Sequence, residues 1–178
     1  MAREELKEQA LKYFQQAYEL QMKGELDEAI IYYAKSIDLY PTAEAYTFRG
    51  WTYSFQGRYD DAIEECHKAI AVDPDFGNPY NDIGCYLMAK GQDEAAIPWL
   101  ERAKRARRYA NPEFPYLNVG RIWERRGEWT KALAEFKQAH VLRPGDPALA
   151  KAVQNLQSRG NGSRFNEGLP RGGEPSAA

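Results

Sequence analysis

Cysteine is nearly absent: Cys66 and Cys85 are the only two in 178 residues. Two thiols make neither a disulfide framework nor a metal-ligand set. Histidine is as scarce, and His67 and His140 each stand late in a helical stretch without a histidine partner. Both read as surface or rim residues. There is no surplus of charge of either sign, the formal net charge being -2. That balance argues against a dedicated nucleic-acid binder, whose phosphate contacts need a basic excess. No apolar run approaches the roughly 18 residues of a membrane span. The opening stretch "MAREELKEQALKYF" has charges every few residues and no signal-peptide core. Together these absences predict a soluble chain of a reducing compartment, and the cytoplasm is the expected location. Period-two alternation is missing as well, so no strand is expected.

Aromatic residues, by contrast, are plentiful at 13%, with 12 tyrosines. The stretch "YTFRGWTYSFQG", residues 46–57, carries two apolar stripes where a surface helix needs one. Tyr46, Gly50 and Tyr53 recur at helical spacing on one side, and Phe48, Trp51 and Phe55 on roughly the opposite side. The functional reading depends on what the second stripe faces.

The chain also repeats itself. Gly24, Gly57, Gly91 and Gly127 lie 33, 34 and 36 residues apart. Each is followed five residues later by alanine (Ala29, Ala62, Ala96, Ala132), then by a bulkier side chain (Tyr33, Cys66, Leu100, Phe136) and a small one (Ser36, Ala69, Ala103, Ala139). Pro41, Pro74 and Pro144 close three of the four units, since proline cannot extend a helix. Each unit reads as two helices. The glycine at the register position ends the first, where a left-handed cap costs least. Acidic residues such as Asp60 and Asp61 open the second, complementing the helix dipole. Gly50, Gly84 and Gly120, inside the first helices, allow close approach of a neighbouring helix.

This pattern resembles the tetratricopeptide repeat, a helix–turn–helix unit of 34 residues. The resemblance is clearest in "YTFRGWTYSFQGRYDDAIEECHKAIAVDP" and "YLNVGRIWERRGEWTKALAEFKQAHVLRP" and extends over residues 8–146 or so. It implies an all-α fold, a right-handed α-solenoid. The repeats fall at about residues 8–42, 43–76, 77–112 and 113–146, within a domain spanning 1–159. Gln16 and Ala17 depart from the pattern in the first unit, whose opening helix extends back to about Arg3. "RRYANPEFP" predicts a longer loop between the third and fourth units. Pro98 predicts a kink or a late helix start. Residues 147–159, with Leu149, Val153 and Leu156 on one face, are expected to cap the last unit. From 160 to 178 the Gly, Pro and Ser content predicts disorder.

No catalytic constellation is apparent. Cys66 fills the slot held elsewhere by Tyr33, Leu100 and Phe136, so it reads as a small core hydrophobe. Cys85 is the likelier of the two thiols to border a groove and react. Asp60–Asp61 and Glu64–Glu65 read as solvated helix-start charges rather than an acid/base pair. No phosphate or dinucleotide fingerprint occurs, and no polar groups converge on a pocket. The chain is expected to be non-enzymatic, with no cofactor and no metal site. "RAKRARR", comprising Arg102, Lys104, Arg105, Arg107 and Arg108, is the one basic cluster. It reads either as a solvated helix end or as a dock for an acidic partner or RNA.

Stacked helix pairs present an extended concave face, and the resemblance implies that the first helices line it and that it holds a peptide. By register the lining is Phe14, Tyr18 and Met22, then Thr47, Trp51 and Phe55 with Phe48 beside them, then Asn81, Cys85 and Met88, then Leu117, Arg121, Glu124 and Arg125. One subfamily grips C-terminal carboxylates of chaperone tails with a Lys/Asn/Arg clamp. The matching places here hold Phe14, Tyr18, Thr47 and Trp51, so that clamp is missing. An apolar half-groove leading to Arg121 and Arg125 remains, suited to an amphipathic or hydrophobic segment of another protein. Self-association through the same aromatic face is the alternative; packing of Phe48, Trp51 and Phe55 on the first helix is a third, and cover by the chain's own tail a further one.

Overall fold

The computed structural model describes residues 2–166. Nine helices follow one another among them: α1 (Ala2–Lys23), α2 (Leu26–Leu39), α3 (Ala43–Phe55), α4 (Tyr59–Val72), α5 (Asn78–Ala89), α6 (Asp93–Ala103), α7 (Glu113–Arg125), α8 (Trp129–Leu142) and α9 (Pro147–Asn166). The chain divides into two compact units, residues 1–118 and 119–178, with the boundary inside α7.

In the first unit α1 packs on α2, α3 on α4 and α5 on α6, while α2 meets α3 and α4 meets α5. The turn within each pair has one chemistry. Gly24, Gly57, Gly91 and Gly127 are the only described residues with positive φ, between 72° and 83°. Each lets the chain reverse into paired backbone hydrogen bonds of the Schellman kind. At the second turn Arg58 N–H donates to Tyr53 C=O at 3.0 Å and Gly57 N–H to Ser54 C=O at 2.9 Å. The same pair recurs at Gly24, Gly91 and Gly127.

The register read from the sequence becomes the core. Ala29, Ala62, Ala96 and Ala132 are buried, as are Tyr33, Cys66, Leu100, Phe136 and the small residues three positions on. Gly84 shows why one position stays small: a Cβ there would lie 2.5 Å from Leu100 Cδ2. Ala17 takes that role in α1, buried against Ala29 and Tyr33. Tyr33 also donates its hydroxyl proton to Gln21 Oε1 at 2.7 Å, and Ser36 Oγ donates to the Ala10 carbonyl at 2.8 Å.

Several expectations change. Pro98 does not delay its helix: α6 begins at Asp93, directly after Gln92, and contains the proline. A proline at that depth forfeits one backbone bond, which the burial of Ala96, Leu100 and Ala103 on the same helix offsets. Glu65 is not a solvated charge. It is buried and accepts from Arg49 Nε and Nη2, each at 2.7 Å, and from Lys68 Nζ at 2.9 Å. In the second unit α8 packs on α9, and α9 buries Leu149 and Leu156. Asp146 caps α9 by accepting from Ala148 N–H at 2.9 Å. The helix continues to Asn166 instead of stopping at Arg159, because elongating a formed helix costs far less than nucleating one. Of the disorder expected over 160–178, residues 160–166 are helical instead, and 167–178 lie outside the described residues.

The loop of residues 104–112 is the long connection anticipated between the third and fourth repeats. It returns to the second repeat through a single parallel bridge between Phe76 and Arg108. Arg108 N–H donates to Asp75 C=O and Gly77 N–H to Arg108 C=O, each at 2.9 Å.

Candidate functional site

The residues expected to line a groove fall into three groups. Phe14, Tyr18, Phe48, Trp51 and Phe55 are brought together, on α1 and α3, into one connected set of rings. Phe48 sits at its middle, with ring centroids 5.3 Å from Phe14, 5.8 Å from Tyr18 and 5.7 Å from Trp51. Trp51 and Phe55 continue the chain at 5.3 Å, and Phe14 also stands edge-on to the buried Tyr33 at 5.5 Å. Edge-to-face pairs at these distances are the favoured aromatic geometry. The set is therefore anchored at its Phe14–Phe48 end and open at the other. Trp51 is 40% exposed, Phe55 55% and Met22, on the same face of α1, 65%. Packing on the first helix thus accounts for Phe48 and leaves Trp51 and Phe55 open to solvent.

The second group is polar. Asn81 is buried on α5 and its carbonyl accepts from Asn118 Nδ2 at 3.0 Å. Asn118 also donates to Cys85 Sγ at 3.2 Å. Cys85 is thus a partly buried acceptor in an amide pair. Met88 and Leu117 are half-buried. Arg121 and Arg125 form the third group, exposed on the part of α7 that belongs to the second unit. Thr47 is buried and donates to the Ala43 carbonyl at 2.7 Å.

Beside the rings lies a cavity of about 190 Å³ lined by Phe48, Trp51, Asn81, Asp82, Tyr109 and Phe114, among others. Asp82, Tyr109 and Phe114 were not singled out by sequence reasoning. Burial pushes the Asp82 carboxyl up to about 7, against which a hydrogen bond from Asn81 is the one opposing influence. Burial likewise raises the Tyr109 phenol, with Asp82 adding to the effect. Only the fold brings Tyr109 and Phe114 to α5, so no local pattern announces them.

The members of the basic cluster turn to different neighbours. Arg108 donates to Asp73 Oδ2 at 2.6 and 3.0 Å and to Glu44 Oε1 at 2.6 Å, with its guanidinium 4.1 Å from the Phe76 ring centre. This arrangement lowers the Asp73 carboxyl below its ordinary range. Lys104 pairs with Glu101 at 2.7 Å and lies over Tyr116. Arg102 stacks on Tyr80 and Trp99. Arg105 and Arg107 are exposed. Three members of the cluster thus contact acidic or aromatic side chains of the chain itself, while Arg102, Arg105, Arg107 and Arg108 stay exposed.

Cys66 is buried in the core formed by Ala62, Ile83 and Tyr86, and burial raises its thiol well above the ordinary range. His67 is exposed and packs edge-on against Trp99 at 5.2 Å. Among the described residues no three His, Cys, Asp or Glu side chains gather to hold a metal. No helix among them is long and apolar enough to cross a membrane.

The profile of the tetratricopeptide repeat matches residues 43–76 and again residues 78–109. The chain carries tetratricopeptide repeats. Over 70 residues, 39% of the chain, it is 34% identical to the small glutamine-rich tetratricopeptide repeat-containing protein 2 of Mycosarcoma maydis. Over 51 residues, 29% of the chain, it is 39% identical to sperm-associated antigen 1 of Mus musculus. The matched regions cover 20% and 6% of those relatives. The chain thus spans a fifth or less of the length of the curated relatives it matches. The crystal structure of MamA superposes with a TM-score of 0.69 at 25% identity, over 88% of this chain and 85% of that one. This tetratricopeptide repeat chain is an all-α helical repeat solenoid. Proteins of this kind are in general non-catalytic scaffolds that bind other proteins.

Proposed function

We propose that this chain is a protein-interaction adaptor whose groove, along α1, α3 and α5, receives an apolar or amphipathic segment of another protein. The carrying observation is the ring chain that ends in the exposed Trp51 and Phe55. Exposed aromatics beside an anchored cluster are the residues on which binding energy concentrates. In this reading the chain is non-catalytic, uses no cofactor and works in the cytoplasm. Nucleic acid is not a partner in this reading.

The test is selection of binders from a library of amphipathic peptides, followed by titration against Trp51→Ala with Phe55→Ala. The expected result is at least a tenfold loss of affinity with unchanged helical circular dichroism. Undiminished binding by the double variant overturns the assignment. Light scattering across concentration addresses self-association: a dimer that the same double variant dissolves would give the face to a second copy.

A further inference from the structure

We propose that the cavity between α3, α5 and the start of α7 receives one cationic side chain, a lysine ammonium or an arginine guanidinium, borne by the segment that the groove holds. This rests on the groove reading and adds charge selectivity to it.

The first argument is size. At about 190 Å³ the cavity is smaller than the roughly 300 Å³ at which sites for drug-sized ligands begin, so it suits the end of a side chain. The second is its wall. Phe48, Trp51, Tyr109 and Phe114 all line it, and aromatic faces attract cations. The third is its single charge. Asp82 is the only ionisable carboxylate on the lining, and no lysine or arginine lies there.

Elsewhere in the same repeats the buried or bridging carboxylates are matched. Glu65 has Arg49 and Lys68, while Asp73 and Glu44 share Arg108. Among the described residues Asp82 has no ion pair and its supporting contact is the Asn81 amide, and desolvation pushes its carboxyl up to about 7. The titratable groups around Asp82 and Tyr109 are Glu113, Cys85, Tyr86 and Cys66, none of them a cation. An anionic ligand group would meet this carboxylate with repulsion, and a neutral one would leave it unpaired at a cost. A cation would restore its ionised form. Asn78, Asn81 and Asn111 also line the cavity, and their carbonyl oxygens can accept the remaining ammonium or guanidinium protons.

The cavity can be probed without knowing the partner. n-Butylammonium, n-butylguanidinium and the neutral n-butanol are titrated at pH 8 while the Trp51 indole N–H resonance is followed. The two cations are expected to saturate at least about tenfold more tightly than butanol. Their advantage should shrink as the pH is lowered from 8 to 6 and Asp82 takes up its proton. It should vanish in Asp82→Asn. Equal affinity of butanol and the cations, or a cation preference that survives both Asp82→Asn and acidification, overturns the proposal. The pH series on the unaltered chain stands even if the variant folds poorly. A pair of groove-selected peptides differing only by lysine against norleucine separates this proposal from the groove reading. Equal binding of both removes the cation site and leaves the groove; saturation by butylammonium while neither peptide binds keeps the cation site and removes the groove.

Discussion

Asp73 lies just after α4 and Asp82 four residues into α5, and the chain treats them in opposite ways. Asp73 is gripped by Arg108 at 2.6 Å, and that hydrogen bond holds its carboxyl below the ordinary range. Asp82 faces rings and amides with no cation, and burial raises its carboxyl to about 7. In the first, closed region Asp73, Glu44 and Arg108 answer one another's charge within the chain. The second leaves one charge unanswered beside open aromatic surface. Self-sufficient regions hold a scaffold in shape; a region with an unmet electrostatic requirement points outward, to something the chain does not itself supply.

The largest expected effect comes from moving α5, which carries Asp82. Gly84→Ala places a methyl 2.5 Å from Leu100 Cδ2 and is expected to cost about 1–3 kcal/mol as overpacking, read as a lowered denaturant midpoint. It should disturb both regions together. Arg108→Ala breaks only the closed one. Removing two ion pairs and a ring contact at a half-exposed site is expected to cost about 1–2 kcal/mol, with the groove peptides still bound.

Acid titration separates the carboxylates by sign. The Asp73 carboxyl is lowered, so its contribution is present above the unfolded value and is lost as the pH falls through the folded one. The Asp82 carboxyl is raised from 3.8 to about 7, so the folded state holds that proton more tightly and stability declines as pH rises across that window. Asp82→Asn should flatten the decline between about pH 4 and 7, measured by urea unfolding, and leave the acid limb unchanged. Arg108→Ala should do the reverse. The smallest effect on stability, under about 1 kcal/mol, is expected from Trp51→Ala with Phe55→Ala, because half-exposed rings lose little burial on truncation. A much larger loss would mean that these rings belong to the closed region after all.

The repeat was legible in the sequence because its constraints are local and periodic. A left-handed turn wants glycine, a close helix crossing wants alanine, and both recur in Gly57, Ala62 and Ala69 without reference to anything distant. The second apolar stripe of Phe48, Trp51 and Phe55 was legible for the same reason, as a second period on one helix. Asp82, Tyr109 and Phe114 were not. Their meaning arises only when a loop some thirty residues further on returns to α5. The basic run is the complementary case. Its residues are adjacent in sequence, yet Arg102, Lys104 and Arg108 turn to different aromatic and acidic partners. Glu65 reads as a solvated charge in the sequence because its partner Arg49 lies across a helix pair.

The bridge between Phe76 and Arg108 gives this arrangement a clock. The amides of Gly77 and Arg108 each donate at 2.9 Å outside any helix, so their hydrogens exchange with solvent only when the loop peels away. Deuterium uptake at those two positions would time that peeling. The loop carries Tyr109 and the amide of Asn111, so the same uptake times how often one wall of the cavity is absent. A ligand that needs that wall should slow exchange at Gly77 and Arg108 without touching either residue.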